Sequence, residues 1–282
     1  MQNVAFIINP FSAKKEYRAF LDLLKAKVEN PLFLVSKSME DTQIFILSNW
    51  DRVDVFVAVG GDGTISTVAK ELIYSEKILA AFPAGSGNGF ARELQFSKNL
   101  EKLLAKIRKN ESIEIDTFTI NNLLSINVSG VGFDGAVVKD FEKTNRGLYN
   151  YAKVSMQNYF KFQPVEVEFE EKFQAYNGKY LMINIANTRQ FGNNAYIAPH
   201  ADFADGILEI ALVKKFPFYY FAKFGYQLFN KGLIENKFLQ YISTSRISFK
   251  INSENWHLDG EYNQISSPIE VKILPKSLKV LV

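Results

Sequence analysis

The 282-residue chain has no cysteine, two histidines and two tryptophans, and almost no imbalance of charge, with 33 basic against 30 acidic side chains. Without cysteine there can be no disulfide framework, thiolate zinc site, iron–sulfur cluster or cysteine nucleophile, and the composition suits a reducing compartment. His200 and His257 stand neither in a His-Glu-x-x-His spacing nor beside a Gly-x-Ser-x-Gly elbow. Both are therefore read as structural or surface side chains rather than as metal ligands or members of a triad. A net charge of +3 with no concentrated basic stripe argues against a nucleic-acid partner. Long apolar runs are missing too. The most apolar later window, residues 216–229, is broken by Pro217, Lys223 and Gly225 and falls short of the roughly 18–20 residues of a membrane span. The first residues lack the cationic region and apolar run of a secretory signal. These absences lead us to expect a protein that is not exported, soluble or peripheral to a membrane.

What is present is a large apolar fraction, 47%, enough for a sizeable core. The 25 Phe and 13 Tyr could line a hydrophobic pocket as well as fill that core. The first part of the chain alternates short apolar runs with helical periodicity. Strands are expected at 4–8, 32–35, 54–59 and 78–82, and helices at 14–28, 41–50, 64–74 and 100–108. Strand alternating with helix implies a parallel sheet covered on both faces. From about Ser112 the pattern becomes strands joined by turn dipeptides. Strands are expected at 113–120, 123–128, 165–170, 180–186, 207–213, 247–251, 269–273 and 278–282, with turns at Asn121-Asn122, Asn177-Gly178 and Asp205-Gly206. Helical stretches at 148–162 and 218–231 interrupt them. The fold expected is thus α/β plus β-rich: a Rossmann-like parallel lobe, residues 1–112, followed by an antiparallel, sandwich-like lobe, residues 113–282, with a cleft between them.

Candidate chemistry concentrates in the first lobe. Gly60-Gly61-Asp62-Gly63-Thr64-Ile65 joins an expected strand to an expected helix. Glycines there let backbone N–H groups approach an anion, and the helix N-terminus adds a favourable dipole. The same residues also suit a tight turn with a helix cap. Asn9-Pro10 follows the first strand, and Gly85-Ser86-Gly87-Asn88-Gly89-Phe90-Ala91-Arg92 follows the fourth. In a parallel sheet, ligands bind beyond the carboxyl ends of the strands, so the three loops are expected to converge on a phosphate-bearing ligand.

Those loops, together with Asn127–Gly135 (Asn-Val-Ser-Gly-Val-Gly-Phe-Asp-Gly), Asp202–Ile207 and Asp259-Gly260-Glu261, resemble in order the motifs of the diacylglycerol kinase catalytic-domain family. That family of lipid kinases includes sphingosine kinases and bacterial lipid kinases, and the resemblance runs through nearly the whole chain. It implies ATP as co-substrate, Mg2+, and a lipid alcohol as acceptor. It further implies a cytoplasmic protein peripheral at the inner membrane face, and it allows a homodimer, although no stretch reads as an interface. The nucleotide contacts implied are Asn9, Pro10, Phe11, Ser12, Ala13, Ser36, Gly60, Gly61, Asp62, Gly63, Thr64, Ile65, Ser66, Gly85, Ser86, Gly87 and Asn88. Asp116 resembles an aspartate that reaches the nucleotide's magnesium through water. Asp205, with Asp202 and Ile207 through their carbonyls, resembles a second, structural magnesium site.

For the base that takes the acceptor's proton, the resemblance points to Glu261, with Asp259 and Asp62 competing for the role. Asp-Gly is equally a hairpin dipeptide, Asp116 equally an exposed strand charge, and the Asp202–Ile207 loop equally a turn with solvated acids. The chain departs from the family pattern at Ala13, where a glycine is frequent, and at Gly89, where many diacylglycerol kinases carry Asp. The Gly-Ser-Gly-Asn string is closer to sphingosine-kinase loops, so the acceptor lies open between a diacylglycerol and a long-chain amino alcohol. An NAD kinase shares the Gly-Gly-Asp-Gly-Thr turn but not the Ser86–Arg92 loop or the late Asp-Gly-Glu. A non-catalytic nucleotide- or lipid-binding protein is the alternative from outside the enzymes. The aromatic stretch 216–229, with Lys214, Lys215, Lys223 and Lys231, reads as core packing or as a helix that touches a bilayer.

Overall fold

A computed structural model describes residues 3–12, 17–141, 144 and 148–282. The chain divides into two compact units, residues 1–115 with 276–282, and residues 116–275. The last seven residues thus join the first unit.

In the first unit, strands β1 (Val4–Ile8), β2 (Leu32–Val35), β3 (Val55–Gly60) and β4 (Ile78–Pro83) pair in parallel in the order β2-β1-β3-β4. Strand β3 is buried along its whole length, which explains its continuous apolar run, since a central parallel strand has no solvent face on which to alternate. Helices α1 (Tyr17–Lys27), α2 (Met39–Ser48), α3 (Asp62–Leu72), the short α4 (Gly89–Glu93) and α5 (Leu100–Lys109) complete the unit. Ser38 caps α2 by accepting from the Asp41 N–H, and Asn99 caps α5 by accepting from the Lys102 N–H. The expected helix at 14–28 begins among residues outside the described set.

Strand β5 (Ser112–Ile120) leads from the first unit into the second. The second unit then contains β6 (Leu123–Ser125), β7 (Val128–Gly132), α6 (Phe133–Phe141), α7 (Leu148–Lys161), β8 (Val165–Phe169), β9 (Gly178–Tyr180), β10 (Met182–Ala186) and β11 (Leu208–Val213). It continues with α8 (Tyr220–Phe229), β12 (Leu239–Thr244), β13 (Arg246–Ile251), β14 (Asn255–Leu258), β15 (Glu261–Gln264) and β16 (Ile269–Leu281). An antiparallel sheet runs β12-β11-β10-β7-β14-β15. Its inner face packs on β8, β13 and the first part of β16 around Trp256, Ile183, Ile210, Phe249 and Val271, which makes a sandwich. Its outer face is covered by α6, α7 and α8 around Val137, Tyr159, Met182 and Phe224.

Four departures from the expected elements have local causes. The strand expected at 123–128 stops at Ser125 and restarts at Val128, because the Ile126 and Asn127 N–H groups are taken by the Asp259 carboxylate. The strand expected at 180–186 divides at Leu181, where the chain passes from pairing with β8 to pairing with β7 and β11. The two strands expected at 269–273 and 278–282 are one, β16, carried through Pro275 and turned at Lys276, whose φ is +49°. Pro275 cannot donate to a ladder and so looks like a strand end in the sequence.

The fourth departure is helix α6, which the sequence hides behind Gly135 and two valines. A side chain at Gly135 would overlap the Asn255 carbonyl oxygen and come within 3.2 Å of the Trp256 Cα. The glycine is therefore what lets α6 lie directly on β14. Ala would ordinarily gain up to about 1 kcal/mol over Gly within a helix, but here the clash is with backbone, which cannot move aside. We expect Gly135→Ala to destabilise the protein by about 1–3 kcal/mol, as overpacking does. Urea denaturation should show a lower midpoint at unchanged m value.

Candidate active site

In the first unit, the loops after β1, β3 and β4 are tied together by their own hydrogen bonds. Asn9 Nδ2 donates to Thr64 Oγ1 at 2.9 Å, and the Asn9 N–H donates to the Val59 carbonyl at 3.0 Å. A side chain at Gly60 would overlap that of Thr64, so the glycine makes room for the hydroxyl that Asn9 holds. The Ala84 N–H donates to the Gly60 carbonyl at 2.7 Å, which locks β4's loop to β3's. Beyond that point the loops are in backbone contact: a Cβ built on Gly85 would stand 2.5 Å from the Gly61 Cα. Asn88, at φ +51°, closes its own loop by accepting from the Gly85 N–H (2.9 Å) and donating to the Gly85 carbonyl (2.8 Å). Asp62 Oδ1 accepts from the Phe90 N–H at 3.2 Å, joining the first turn of α3 to the start of α4.

Gly61 is the N-cap of α3 and offers no capping side chain. The amides of the first turn of α3 and its dipole therefore lie beside a glycine-lined surface, which suits an anion. Ser86 is exposed on that loop, whereas Ser12 and Ser66 are buried. The Ser36 hydroxyl lies against Thr42 Oγ1 at 2.7 Å and donates to the Ser38 carbonyl, so it also organises the start of α2. Pro10 and exposed Phe11 follow Asn9, whose Oδ1 accepts from the Phe11 N–H. Ala13 lies outside the described residues. Gly63 and Ile65 sit within the first turn of α3, and the Ile65 N–H reaches back to the Gly61 carbonyl. Gly87 comes close to Asp62, since a Cβ there would be 3.3 Å from Asp62 Oδ2.

In the second unit, Asp116 is buried and is not the exposed strand charge that its position on β5 allows. Its N–H donates to the Phe203 carbonyl, and its Oδ2 accepts from the Gly206 N–H, each at 2.7 Å. The structure thus joins Asp116 to the Asp202–Ile207 loop, two features far apart in sequence. Within that loop, Asp202 Oδ1 accepts from the Ala204 N–H and Asp205 Oδ1 from the Ile207 N–H. Asn187 Nδ2 donates to the Asp116 carbonyl, and its own Oδ1 is buried without a protein partner. Among the described residues no three Asp, Glu or His side chains converge as a metal cluster. The donor set is therefore oxygen-rich but sparse. It fits magnesium, which keeps several waters and is held by one or two carboxylates with substrate phosphates.

The Asp-Gly dipeptide is indeed a two-residue hairpin turn, between β14 and β15, with Asp259 at φ +52° and Gly260 at φ +88°. It is not a surface turn throughout. The Asp259 carboxylate is buried, where Oδ1 accepts from Ser125 Oγ at 2.6 Å and from the Asn127 N–H at 2.9 Å, and Oδ2 from the Ile126 N–H at 3.2 Å. Ser129 Oγ in turn donates to Ser125 Oγ and accepts from the Asp259 N–H. Glu261, two residues on, is exposed.

The structure also brings in residues that sequence reasoning left aside. Asp134 and His257 are both buried and in contact, with His257 Nε2 at 3.2 Å from Asp134 Oδ2. Strand alternation carried the signal: His257 lies between Trp256 and Leu258, which face the sandwich core, so it must face the other way.

The stretch 216–229 is packed on one side and bare on the other. Phe216 and Phe224 are buried, while Phe218, Tyr219, Tyr226 and Phe229 are exposed. Exposed Phe160 of α7 packs against Phe218, ring centroids 4.9 Å apart, so α7 and the entry to α8 share one aromatic patch. Among the described residues no helix is long and apolar enough to cross a membrane.

The diacylglycerol kinase catalytic domain matches residues 3–120, and the YegS C-terminal NAD kinase beta sandwich-like domain matches residues 127–282. The chain belongs to this family of diacylglycerol and lipid kinases. A protein named diacylglycerol kinase from Bacillus subtilis (strain 168) is 24% identical over 274 residues, covering 93% of this chain and 90% of that one. One named "Probable lipid kinase YegS-like" from Shewanella frigidimarina is 28% identical over 178 residues, 59% of this chain and 56% of that one. The crystal structure of a diacylglycerol kinase from Bacillus anthracis str. Sterne superposes with a TM-score of 0.74 at 20% identity, covering 99% of this chain and 96% of the other. At that identity the last comparison speaks for the fold.

Asp259 is buried among donors and Glu261 is exposed, so substitution of the two should differ in its cost to stability. In Asp259→Asn one acceptor oxygen becomes a donor facing the Ile126 and Asn127 amides or the Ser125 hydroxyl. We expect a loss of about 1–3 kcal/mol for the groups left unsatisfied, while Glu261→Gln stays within about 0.5 kcal/mol of the parent, as exposed substitutions do. Denaturant midpoints of the two variants, measured side by side, check this.

Proposed function

We propose that the protein is a lipid kinase that transfers the γ-phosphoryl group of ATP to the hydroxyl of a lipid alcohol, a diacylglycerol or a sphingoid-type acceptor. The observation that carries this reading is the pair of glycine loops after β3 and β4, in backbone contact at Gly61 and Gly85, beside the first turn of α3. Backbone amides presented at such a helix start suit phosphate oxygens and need no reorganisation as charge moves. Thr64, fixed by Asn9, and exposed Ser86 supply hydroxyls around them.

In phosphoryl transfer the protein's work is positioning and electrostatics, together with a group that accepts the nucleophile's proton. We assign that group to Glu261, because it is exposed next to a turn that cannot wander. Asp259 is assigned to holding the turn, since its oxygens are engaged by Ser125, Ile126 and Asn127. In the first unit Asp62 would hold magnesium; in the second, Asp116 would reach magnesium through water, and Asp205 with the Asp202 and Ile207 carbonyls would hold a structural ion. The metal would supply neutralisation of the charge that develops on the phosphate oxygens.

The acceptor's chemistry also requires contact with a lipid surface. Residues 148–162 and 214–231 contain Lys153, Lys161, Lys214, Lys215, Lys223 and Lys231 and no acidic residue. With Phe160, Phe218, Tyr219 and Tyr226 exposed between those lysines, the surface suits an anionic bilayer, aromatic rings at the interface and ammonium groups toward the headgroups.

Two measurements test the reading. Labelled ATP and magnesium, offered with diacylglycerol, monoacylglycerol, sphingoid bases, ceramide and NAD in separate lanes, should label one lipid class and lose all label with a chelator. Glu261→Gln should lower kcat by about 100-fold or more, the usual contribution of a general base; undiminished turnover rejects Glu261 as that base, and label in NAD alone rejects the lipid acceptor. In co-sedimentation with vesicles containing phosphatidylserine, Lys223→Glu should weaken binding several-fold, more so at low salt, since a lysine near an anionic surface is worth about 1 kcal/mol. Unchanged binding would return α8 to a packing role alone.

A further inference from the structure

Strands β14, β7 and β10 lie side by side, and one rung across them reads His257, Gly130, Asn184. All three positions face the helical side of the sheet, because their neighbours Trp256, Val131 and Ile183 face the sandwich core. Gly130 leaves a gap in this row. A side chain there would overlap Asp134 Oδ2 and Asn184 Nδ2, so the gap is filled from above by the Asp134 carboxylate of α6. Asp134 Oδ2 accepts from Asn184 Nδ2 and lies 3.2 Å from His257 Nε2, and Oδ1 accepts from the Gly135 N–H at 2.9 Å.

The other ring nitrogen of His257 faces the turn that carries the candidate base. The Gly260 N–H donates to His257 Nδ1 at 3.3 Å. A ring nitrogen that accepts carries no proton, so the proton of a neutral imidazole resides on Nε2, where it points at the Asp134 carboxylate. The two contacts are consistent with one tautomer only, and Asp134 selects it.

We propose that His257 is a positioning residue for the catalytic turn: Asp134 and Asn184 fix the imidazole as its Nε2–H tautomer, and Nδ1 holds the Gly260 amide so that Glu261 projects at a fixed angle. The inference rests on Glu261 being the base. Asp259 anchors the turn from one side, through Ser125, Ile126 and Asn127, and His257 anchors it from the other. Gly260, at φ +88°, has no side chain of its own to hold Glu261 in line, and a small misplacement of a reacting group costs heavily in rate.

Two substitutions separate this from simple core packing. His257→Asn keeps an acceptor oxygen near the place of Nδ1, whereas His257→Gln carries its amide toward Asp134 and gives up the contact with Gly260. We expect His257→Asn to retain kcat within about tenfold, and His257→Gln to lose about 100-fold with the KM for ATP unchanged in both, the pattern of an interaction made in the transition state. Equal activity in the two variants, or a rise in KM in place of a fall in kcat, overturns the proposal. Nitrogen-15 NMR of the wild-type imidazoles needs no substrate: His257 should show an unprotonated Nδ1 and a protonated Nε2, and the reverse assignment overturns it independently. A wild-type protein that labels no lipid while showing the expected tautomer defeats the proposed kinase function and leaves only the structural hydrogen bonds standing, so the two failures are distinguishable.

Discussion

A carboxylate taken out of water must be met by donors, and the second unit is arranged around three that are: Asp116, Asp134 and Asp259. Each is met by backbone amides and polar side chains, and two of them, Asp116 and Asp259, thereby fix loops. Asp259 takes two amides that β6 and β7 would otherwise have used in one continuous strand, so the interruption at Ile126 and Asn127 is the condition for burying it. Asp116 takes the Gly206 amide and sets the Asp202–Ile207 loop. Asp134 occupies the gap over Gly130 and orients His257. Removing any of the three carboxylates would leave amides or hydroxyls unpaired in the interior, which is why these loops are held more firmly than their sequences suggest.

The first unit meets a different constraint, the close approach of backbones. Its loops after β3 and β4 can touch only because Gly61 and Gly85 lack side chains, and Thr64 can meet Asn9 only because Gly60 does. The result is a surface of amides and hydroxyls with little bulk. The second unit, by contrast, places carboxylates.

Much of this was legible in the sequence, and the reasons differ by unit. The parallel strands of the first unit are continuous apolar runs bounded by glycine, proline and asparagine, and helices between them carry their caps, so both type and order could be read. In the second unit the turn dipeptides Asn121-Asn122 and Asp259-Gly260 announced hairpins and both take positive φ. The short strands β12, β14 and β15 escaped, and β14 shows why: Asn255-Trp256-His257-Leu258 carries a polar residue on the face where α6 packs, because that face binds a carboxylate in place of a methyl group. Helix α6 escaped because its defining residue, Gly135, is chosen for contact with β14 and against helical propensity. Local rules fail where a distant element dictates the residue.

The same logic bears on Gly89, where many diacylglycerol kinases carry an aspartate. In this chain Gly89 is buried at the first position of α4, and the next amide, that of Phe90, is already taken by Asp62 Oδ1. A carboxylate at position 89 would place a second negative charge close to Asp62, and two carboxylates in one site resist ionising together unless a cation lies between them. With glycine there, Asp62 is met by the Phe90 amide with no second carboxylate beside it, so the burial of Gly89 and the hydrogen bond from its neighbour serve one arrangement of the loop.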